Sequence, residues 1–337
     1  ADAQRGYGIS QGGYDAGIST IAAPVLDELS YEEILLTQQA LLQTCLSQYE
    51  ANPALYKTPI AMDDLNEVRT TLGYRGINLY GISYGTRAAL VYLRRHESSV
   101  RSVILDSVVP MSMKVGEMVA VDAQASFQML LADCQSQAHC AEAFPALEQH
   151  FNELIGRLKA QSEDVTIVHP RTGEFISGKV TQNHVTQMLR GILYDRDLSS
   201  LVPLAIEEAY LGNYQPLVTS NFVFSGGDDN EGSGMSIGMM ASVLCSEDLS
   251  LVSAPGQAKH FDNPMFRSLK PVCEFWPTRG IPLDYFEPVS SDKPVLLLSG
   301  KFDPITPPKY GWQAAATLSN SEHVVVPGVG HAASLRG

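Results

Sequence analysis

The segment Gly81-Ile82-Ser83-Tyr84-Gly85 constrains this 337-residue chain more than any other. It stands between a short apolar run at residues 77–80 and a helical pattern that begins at Thr86. A serine placed between a buried strand and a helix lies on a sharp turn, which projects its hydroxyl above the sheet edge. Flanking glycines carry no Cβ atom that would clash within such a turn. The pattern therefore predicts a strand–turn–helix unit with Ser83 at its tip.

The same alternation of helix, strand and turn extends to both sides of this unit. A helical pattern near residues 61–72 carries Leu65, Val68 and Leu72 on one face and ends at Gly73, a residue suited to a left-handed C-cap. Further apolar runs typical of buried strands lie at residues 103–105, 295–298 and 323–326, and a helical pattern lies at 309–318. This order predicts an α/β fold with a mostly parallel sheet flanked by helices.

The middle of the chain has a different pattern. Longer helical patterns occur at residues 123–131, 144–158 and 202–211, and a hairpin is predicted around Thr172-Gly173 from residues 165–168 and 175–180. The Gly-, Asp- and Ser-rich stretch at 225–236 predicts a loop. We therefore predict a discontinuous core at residues 1–112 and 241–337, with a cap or lid domain at 113–240.

Two polar residues follow the C-terminal strands, in the order that a serine nucleophile requires of its partners. Asp303 comes after the strand at 295–298, and His331 comes after the strand at 323–326. Taken alone, the aspartate could cap a turn and the histidine could be a surface or core residue. Their joint order and strand context predict a catalytic triad, with His331 as general base and acid and Asp303 orienting it. The backbone N–H of Tyr84, at a helix N-terminus, is the candidate oxyanion donor.

Several runs of the sequence resemble the prolyl and tripeptidyl aminopeptidase branch of the α/β-hydrolases. They include Asn78-Leu79-Tyr80-Gly81-Ile82-Ser83-Tyr84-Gly85-Thr86-Arg87 within residues 56–106, the segment Ser299-Gly300-Lys301-Phe302-Asp303-Pro304, the terminal Gly330-His331 and the loop Arg5-Gly6-Tyr7-Gly8-Ile9-Ser10. The resemblance implies an α/β-hydrolase fold with a mainly helical cap. It also implies a serine exopeptidase that removes one to three residues from a free peptide N-terminus without a cofactor.

The chain departs from that family at both ends. Relatives carry an upstream glycine-rich loop, which supplies a second oxyanion N–H, together with the first strands of the sheet. Gln11-Gly12-Gly13 lies downstream of the Arg-Gly loop and lacks the family's proline, so it is not taken for that loop. Relatives also continue beyond His331 with a final helix. We therefore expect the N-terminal strands to be missing and the activity to be reduced.

The five cysteines lie at positions 45, 134, 140, 245 and 273, and no C-x-x-C pair is present. The sequence therefore predicts no structural zinc site. Spacing alone suggests two local pairs but fits buried, reduced cysteines equally well. The family resemblance favours disulfides Cys134–Cys140 and Cys245–Cys273, and it leaves Cys45 unpaired because position 23 is alanine.

Charge and hydropathy limit the classes of partner. The formal net charge of −14 and pI near 4.9 argue against nucleic acid, which needs a basic surface. No apolar run is long enough to span a bilayer. We expect a peptide substrate, no metal and no cofactor, and the resemblance implies export to the periplasm or medium. The sequence makes no prediction of the oligomeric state.

Substrate recognition is the least constrained feature. An aminopeptidase must hold a free ammonium group, and carboxylates do so through charge-assisted hydrogen bonds. Glu247 and Asp248, directly after Cys245-Ser246, are the candidates, with exposed surface acids as the alternative interpretation. Two rival functions stay open: a carboxylesterase on the same fold, and an inactive hydrolase-like binding module.

Overall fold

The computed structural model describes residues 31–224 and 236–336. The predicted features at Arg5–Ser10, Gln11–Gly13, Ala23 and most of 225–236 lie outside these residues. The strands are β1 (Ile77–Ile82), β2 (Val100–Asp106), β3 (Glu163–Val168), β4 (Phe175–Val180), β5 (Val295–Gly300) and β6 (Ser321–Val326). The helices are α1 (Tyr31–Ser47), α2 (Thr58–Thr71), α3 (Tyr84–His96), α4 (Val119–Ser136), α5 (Ala138–Ala143), α6 (Leu147–Ala160), α7 (Gln182–Ile192), α8 (Arg196–Ser199), α9 (Val202–Tyr210), α10 (Gln215–Phe224), α11 (Ile237–Glu247), α12 (Pro264–Leu269), α13 (Pro308–Ala315) and α14 (Ala333–Arg336).

Four strands form one parallel sheet in the order β1-β2-β5-β6. The register aligns their carboxyl ends, since Ile82 pairs with Asp106, Asp106 with Leu298, and Leu298 with Val324. Loops that leave these strands therefore begin at one edge of the sheet, which is where open α/β sheets place their ligands. The predicted parallel sheet flanked by helices is confirmed.

One face of this sheet is buried in a core that it shares with α3 and α13. Alternate residues of the strands point to that face, as the period of two for extended backbone requires. The strand residues of this core are Leu79, Val103, Leu105, Val295 and Leu297, and the helical residues include Leu90, Leu93 and Ala314. Helix α3 is thereby held rigidly behind the turn that carries Ser83.

Residues 120–222 contribute almost all of a second, separate buried cluster. Helices α4, α6, α7, α9 and α10 and the antiparallel pair β3–β4 enclose it. Its large members include Phe127, Phe151, Leu154, Leu189 and Ile206. This arrangement agrees with the three helical patterns and the hairpin of the sequence analysis. The exact division into core and cap at 112/113 and 240/241 stays a prediction.

The sequence predicts the end of helix α2 correctly, but it places the start one turn too late and does not reveal that the apolar face is exposed. The helix begins at Thr58, one turn before the predicted start, because Pro59 at its first turn needs no hydrogen-bond acceptor. Gly73 follows its C-terminus with a φ of +76°, as the sequence predicts. Leu65, Val68 and Leu72 share a face, but all three are exposed.

The structure contains disulfides Cys134–Cys140 and Cys245–Cys273, and Cys45 is a free thiol. The first joins the end of α4 to α5, and the second joins α11 to the helical turn Val272–Glu274. Within the two described ranges, every helix is too short or too polar to cross a membrane. Those same ranges hold no group of three or more His, Cys, Asp or Glu side chains placed to bind a metal ion.

Candidate active site

Ser83 connects β1 to α3 through a backbone conformation that non-glycine residues rarely adopt. Its φ of 54° and ψ of −124° lie outside the helical and extended regions. The turn is held on both sides: the Ser83 N–H donates to the Asp106 carbonyl (2.9 Å), and the Ser83 carbonyl accepts from the Thr86 N–H (2.9 Å) and hydroxyl (2.6 Å). The predicted sharp turn with the serine at its tip is present.

The two glycines of this turn are not equivalent, which corrects the expectation that both relieve a clash. A Cβ atom on Gly81 would lie 2.3 Å from the Gly85 carbonyl oxygen. A Cβ atom on Gly85 would meet no atom within 4 Å, because that residue faces open space at the start of α3. Only Gly81 is required by the close approach of strand and helix.

This difference predicts that two matched substitutions have different effects on stability. Gly81→Ala lowers the free energy of unfolding by about 1–3 kcal/mol, because the added methyl group forces the backbones of β1 and α3 apart. Gly85→Ala leaves stability unchanged or raises it by up to about 1 kcal/mol, since alanine loses less backbone entropy in a helix. Urea unfolding of both variants checks this. Equal destabilisation would contradict the geometry.

Asp303 and His331 lie in the loops after β5 and β6 and are hydrogen-bonded to each other. His331 Nδ1 is 2.9 Å from Asp303 Oδ2. The other carboxylate oxygen, Oδ1, accepts the N–H groups of Ile305 (2.9 Å) and Thr306 (2.8 Å), and the Thr306 hydroxyl donates to Oδ2 (2.7 Å). The Asp303 side chain is fully buried. The carboxylate is therefore fixed, and it fixes the histidine ring.

The electrostatics of this pair fit a carboxylate that supports an imidazolium. Burial alone raises the pKa of Asp303, but the His331 charge and hydrogen bond, with the Thr306 and Ile305 N–H groups, hold that pKa below its ordinary value. Burial alone lowers the pKa of His331, but the charge and hydrogen bond of Asp303, helped by Asp106, raise it above the ordinary 6.5. A raised histidine pKa makes the ring a stronger proton acceptor.

Ser83 shares the carboxyl edge of the sheet with these two residues, since β1, β5 and β6 belong to one parallel sheet. Among the described residues, the hydrogen bonds of the His331 side chain go to Asp303 and Thr306, and none joins it to Ser83. Catalytic hydrogen bonds are often long before substrate binds. Tyr84 is the first residue of α3, so its N–H has no acceptor within the helix.

Two neighbours of His331 were not identified from the sequence. Thr306, fully buried, places its hydroxyl between Asp303 Oδ2 and His331 Nδ1, 3.3 Å from the latter. Tyr194 accepts the His331 N–H on its carbonyl (3.0 Å) and sets its ring edge-on to the imidazole, with centroids 5.1 Å apart. The spacing of Asp303 and Thr306, three residues apart in one turn, could have indicated Thr306. No pattern near Tyr194 in the sequence indicates its contact with His331.

The loop that carries His331 is packed tightly between β5 and the segment around Tyr194. A Cβ atom on Gly330 would lie 2.4 Å from the Leu193 carbonyl oxygen, and one on Gly300 would overlap the Gly330 carbonyl oxygen at 1.8 Å. Three backbones therefore stack in direct contact. This contact brings residues of the predicted cap against the histidine loop.

Helix α4, which belongs to the predicted cap, holds the Asp303 loop. The Ser126 hydroxyl on α4 donates to the Phe302 carbonyl (2.6 Å). One turn earlier, the buried Asp122 accepts from the Tyr310 hydroxyl (2.8 Å) and forms an ion pair with Lys309. The loops of both candidate partners of Ser83 thus depend on contacts with residues 113–240.

Glu247 and Asp248 are both buried, not exposed surface acids. Glu247 accepts from the Thr58 N–H (2.6 Å), the Thr58 hydroxyl (2.8 Å) and the Tyr285 hydroxyl. The Thr58 hydroxyl also lies 2.6 Å from the hydroxyl of Tyr84, so Glu247 is linked to the residue after Ser83. Burial raises the pKa of Glu247, and it raises that of Tyr84 to about 12. The ammonium-binding role of the two acids stays a prediction.

Asp248 pairs with Arg87 of α3 in the protein interior. Arg87 Nη1 lies 2.7 and 2.8 Å from the two carboxylate oxygens, and the Val115 N–H donates to Oδ1 (2.8 Å). Both side chains are almost completely buried. The pair ties the C-terminal end of α11 to α3, the helix that directly follows Ser83.

Removing one member of this pair is expected to destabilise the protein strongly. Asp248→Ala leaves the buried Arg87 guanidinium without the carboxylate that is hydrogen-bonded to it, and we expect a loss of about 3–5 kcal/mol. Asp63→Ala is the matched control: its exposed ion pair with Arg95 is worth about 1 kcal/mol or less. Chemical denaturation measures both. A loss for Asp248→Ala no larger than the control value would show that the buried pair contributes little.

Two family models match the sequence. Residues 5–138 match the alpha/beta hydrolase fold, and residues 258–337 match the family described as TAP-like protein. The first match contains Ser83 and Tyr84, and the second contains Asp303 and His331. No curated protein matches the chain significantly. The two matches support a hydrolase.

Three solved structures that are similar to this chain are distant from it in sequence. An alpha/beta hydrolase enzyme, MGS-M2, from a Medee basin deep-sea metagenome library is 14% identical, with 84% of this chain and 67% of that chain covered and a TM-score of 0.34. A thermophilic esterase from Thermogutta terrifontis is 15% identical, with 83% and 67% covered and a TM-score of 0.33. A 2-hydroxy-6-oxo-6-phenylhexa-2,4-dienoate hydrolase from Rhodococcus sp. strain RHA1 is 14% identical, with 86% and 69% covered and a TM-score of 0.37.

Likeness at this level carries no information about what this chain hydrolyses. The topology is that of a parallel sheet flanked by helices, with a turn of unusual backbone geometry at Ser83. The family matches cover that turn and the C-terminal strands. The chain therefore has an α/β-hydrolase fold, and its C-terminal residues 258–337 are similar to the family described as TAP-like protein.

Proposed function

We propose that this chain is a serine hydrolase that cleaves short peptides from a free N-terminus. The observation that carries the proposal is the 2.9 Å hydrogen bond between His331 and the buried Asp303, at the sheet edge where Ser83 stands in a strained turn. Acyl transfer needs a nucleophile, an oriented base and an oxyanion donor. Ser83 can supply the nucleophile, His331 held by Asp303 can supply the base, and the Tyr84 N–H at the start of α3 can supply the oxyanion donor.

In the proposed reaction, Ser83 Oγ attacks the scissile carbonyl carbon, and its proton passes to His331 Nε2. Asp303 holds the ring by Nδ1 and stabilises the imidazolium without taking the proton. The Tyr84 N–H donates to the oxyanion that develops on the carbonyl oxygen. His331 then protonates the leaving amine, which leaves an ester between Ser83 and the N-terminal part of the peptide. Water, deprotonated by the same histidine, hydrolyses this ester.

The exopeptidase part of the proposal rests on the TAP-like match at residues 258–337 and on the motifs that resemble aminopeptidases. Residues 113–240 would cap the pocket and limit it to chain ends. Glu247 and Asp248 are the proposed anionic partners of the substrate ammonium. Because their oxygens are engaged by Thr58, Tyr285 and Arg87 in the free protein, a direct contact requires these bonds to rearrange.

Hydrolysis of three substrates tests the proposal. They are a short chromogenic peptide with a free N-terminus, the same peptide acetylated, and a short-chain ester. We expect cleavage of the free-amine peptide and little cleavage of the acetylated one. Cleavage of the ester alone would support the carboxylesterase alternative instead. No cleavage of any of them by folded protein would support an inactive module.

A substitution at Glu247 separates its two possible roles. If the carboxylate binds the substrate ammonium, Glu247→Gln loses activity on the free-amine peptide and retains ester hydrolysis. If it acts only through Thr58 and Tyr84, both activities fall together. Glu67→Gln, on the exposed part of α2, is the matched control and changes neither. Unchanged peptide hydrolysis in Glu247→Gln would remove Glu247 from recognition.

We also propose that the protein is exported. The two disulfides support this, because such bonds persist in oxidising compartments and are rare in a reducing cytosol. Fractionation of cells that express the intact gene product, with a periplasmic or medium location expected, tests it.

A further inference from the structure

Three non-glycine residues in the described ranges have a positive φ angle, and all three meet at one place. They are Ser83 (φ 54°), Ser107 (φ 59°) and Ala332 (φ 62°). Each such conformation costs on the order of 1 kcal/mol or more and persists only where the surroundings impose it. Ser83 carries the proposed nucleophile, and Ala332 directly follows the proposed base. Ser107 belongs to neither loop, so its strain needs a separate explanation.

The explanation lies in Asp106, the last residue of β2, which is hydrogen-bonded both to the Ser83 turn and to the segment after His331. Its carbonyl accepts the Ser83 N–H (2.9 Å). Its carboxylate accepts the Ala333 N–H on Oδ1 (2.9 Å), and on Oδ2 it accepts the N–H (2.8 Å) and hydroxyl of Ser334. The side chain is fully buried. One residue therefore binds the serine turn and the segment that follows His331.

Ser107 adds a second attachment to the same segment. Its hydroxyl accepts the Ala332 N–H (2.8 Å), while its own N–H donates to the Leu298 carbonyl of β5 (2.9 Å). The positive φ of Ser107 lets it bond β5 through its backbone and the histidine loop through its side chain. Three successive N–H groups, at Ala332, Ala333 and Ser334, are thus held by Ser107 and Asp106.

We propose that Asp106 is a positioning residue of the active site, which, with Ser107, sets the distance and orientation of His331 relative to Ser83. This proposal rests on the proposed function, because it assigns the contact a role in proton transfer between those two residues. Asp106 touches neither substrate nor the reacting atoms. It acts by binding the backbone of residues 333–334, just after His331, to the end of β2, which also accepts the Ser83 N–H.

The charge of Asp106 gives this role a signature that a purely structural role lacks. The groups that face His331 are the Asp303 carboxylate and Thr306 hydroxyl from the β5 loop, the Tyr194 ring from the segment between α7 and α8, and Asp106 from β2. Asp303 and Asp106 both raise the pKa of His331. Neutralising Asp106 should therefore lower the histidine pKa and also loosen its loop.

The test compares Asp106→Asn with Tyr80→Phe in the full chain. The Asn side chain keeps the shape but removes the charge and one of the two acceptor oxygens. Tyr80→Phe removes a hydroxyl that lies 2.5 Å from the Ser334 hydroxyl, and it leaves Asp106 intact. The readouts are kcat and KM for the ester or peptide, the acid limb of the pH profile, thermal unfolding, and the His331 pKa from NMR of the ¹⁵N-labelled imidazole.

We expect Asp106→Asn to lower kcat by about 10- to 100-fold with little change in KM. The His331 pKa should fall, and the acid limb should move to lower pH with it, because the Asp106 charge that helps to raise this pKa is lost. Tyr80→Phe should match the unsubstituted protein. If Asp106→Asn does not fold, Ser107→Ala serves instead: it removes the acceptor for Ala332 and the long hydrogen bond from the Ser107 hydroxyl to Asp106 Oδ1 (3.4 Å), but it leaves the Asp106 carboxylate in place. We expect a smaller loss of kcat of about 3- to 10-fold with no shift of the acid limb.

Folded Asp106→Asn with unchanged kcat and an unchanged His331 pKa would overturn the proposal. If only Ser107→Ala folds, an unchanged kcat in that variant would also overturn the proposal. The NMR titration needs no turnover, so the inference and the proposed function fail separately. Inactive protein whose His331 pKa still falls in Asp106→Asn would contradict the function and support the contact. Active protein in which neither Asp106→Asn nor Ser107→Ala changes kcat or the His331 pKa would support the proposed function and contradict the role of Asp106.

Discussion

Ser83→Ala is expected to reduce kcat by about 10⁶-fold on whichever substrate the protein cleaves, because no other group can form the acyl-enzyme. The fold should be unaffected. Ser83 makes its contacts with Asp106 and Thr86 through its backbone, and alanine preserves them. The strained φ of 54° is as costly for alanine as for serine. Initial rates across a range of substrate concentrations, with circular dichroism to verify folding, measure the effect.

A serine on the neighbouring strand provides the control. Ser102 of β2 is half-buried and hydrogen-bonds Asn78 through its side chain (3.1 Å), well before the carboxyl end of the strand. Ser102→Ala should retain the activity of the unsubstituted protein within about twofold. If Ser83→Ala hydrolysed its substrate at a rate close to this control, the nucleophile would have to be another residue.

Asp303→Asn is expected to lower kcat by about 10⁴-fold with a small effect on KM. The amide cannot accept from Thr306 and His331 as the carboxylate does, so the imidazole loses the partner that selects its tautomer. It also loses the negative charge that stabilises the imidazolium in the transition state. Asp303 is fully buried and the His331 side chain is only 12% exposed, so little of this stabilisation is screened by solvent.

The pH dependence of the same variant gives a second, independent result. His331 must be neutral to accept the Ser83 proton, so the activity is lost as the pH falls through the histidine pKa. In the unsubstituted protein this pKa is raised above 6.5, mainly by Asp303. In Asp303→Asn the acid limb of kcat/KM should therefore move to lower pH. Asp292→Asn, exposed before β5, should leave the limb in place. An unmoved limb in Asp303→Asn would mean that another group titrates.

The parts of the fold that could be predicted from sequence are those with a local cause. Residues 77–105 alternate between apolar strands and an amphipathic helix, so strand, turn and helix each follow from a short window. Asp303 and His331 could be found because parallel strands end at one edge, which converts positions in the sequence into proximity in space. The Gly73 cap followed from the need for a positive φ after α2.

The parts that could not be predicted depend on contacts between distant segments. Tyr194 reaches His331 because residues 193 and 194 pack on Gly330, and no local pattern indicates that contact. Glu247 is buried, and its carboxylate is satisfied by hydrogen bonds from Thr58, a residue 189 positions earlier in the chain, which no local pattern reveals. Gly81 cannot accommodate a Cβ atom whereas Gly85 can, because the backbones of β1 and α3 approach closely at Gly81 only. A sequence motif gives no information about this distance.

Asp106 lies between these two cases. It follows the apolar run at 103–105, so the reasoning that identified Asp303 and His331 also places it at the carboxyl edge of the sheet. Only the structure shows that its carboxylate binds the backbone after His331. A polar residue at the end of each successive parallel strand is therefore worth testing even when it has no place in the expected motif.

Covalent labelling with a fluorophosphonate, followed by peptide mapping, tests the central claim most directly. The reagent reacts with a serine only when an oriented base activates it. We predict one adduct, on Ser83 of the folded protein, and its loss in His331→Ala. An adduct on a different serine, or no adduct on the folded protein, would contradict the assignment of Ser83, Asp303 and His331 as the catalytic residues.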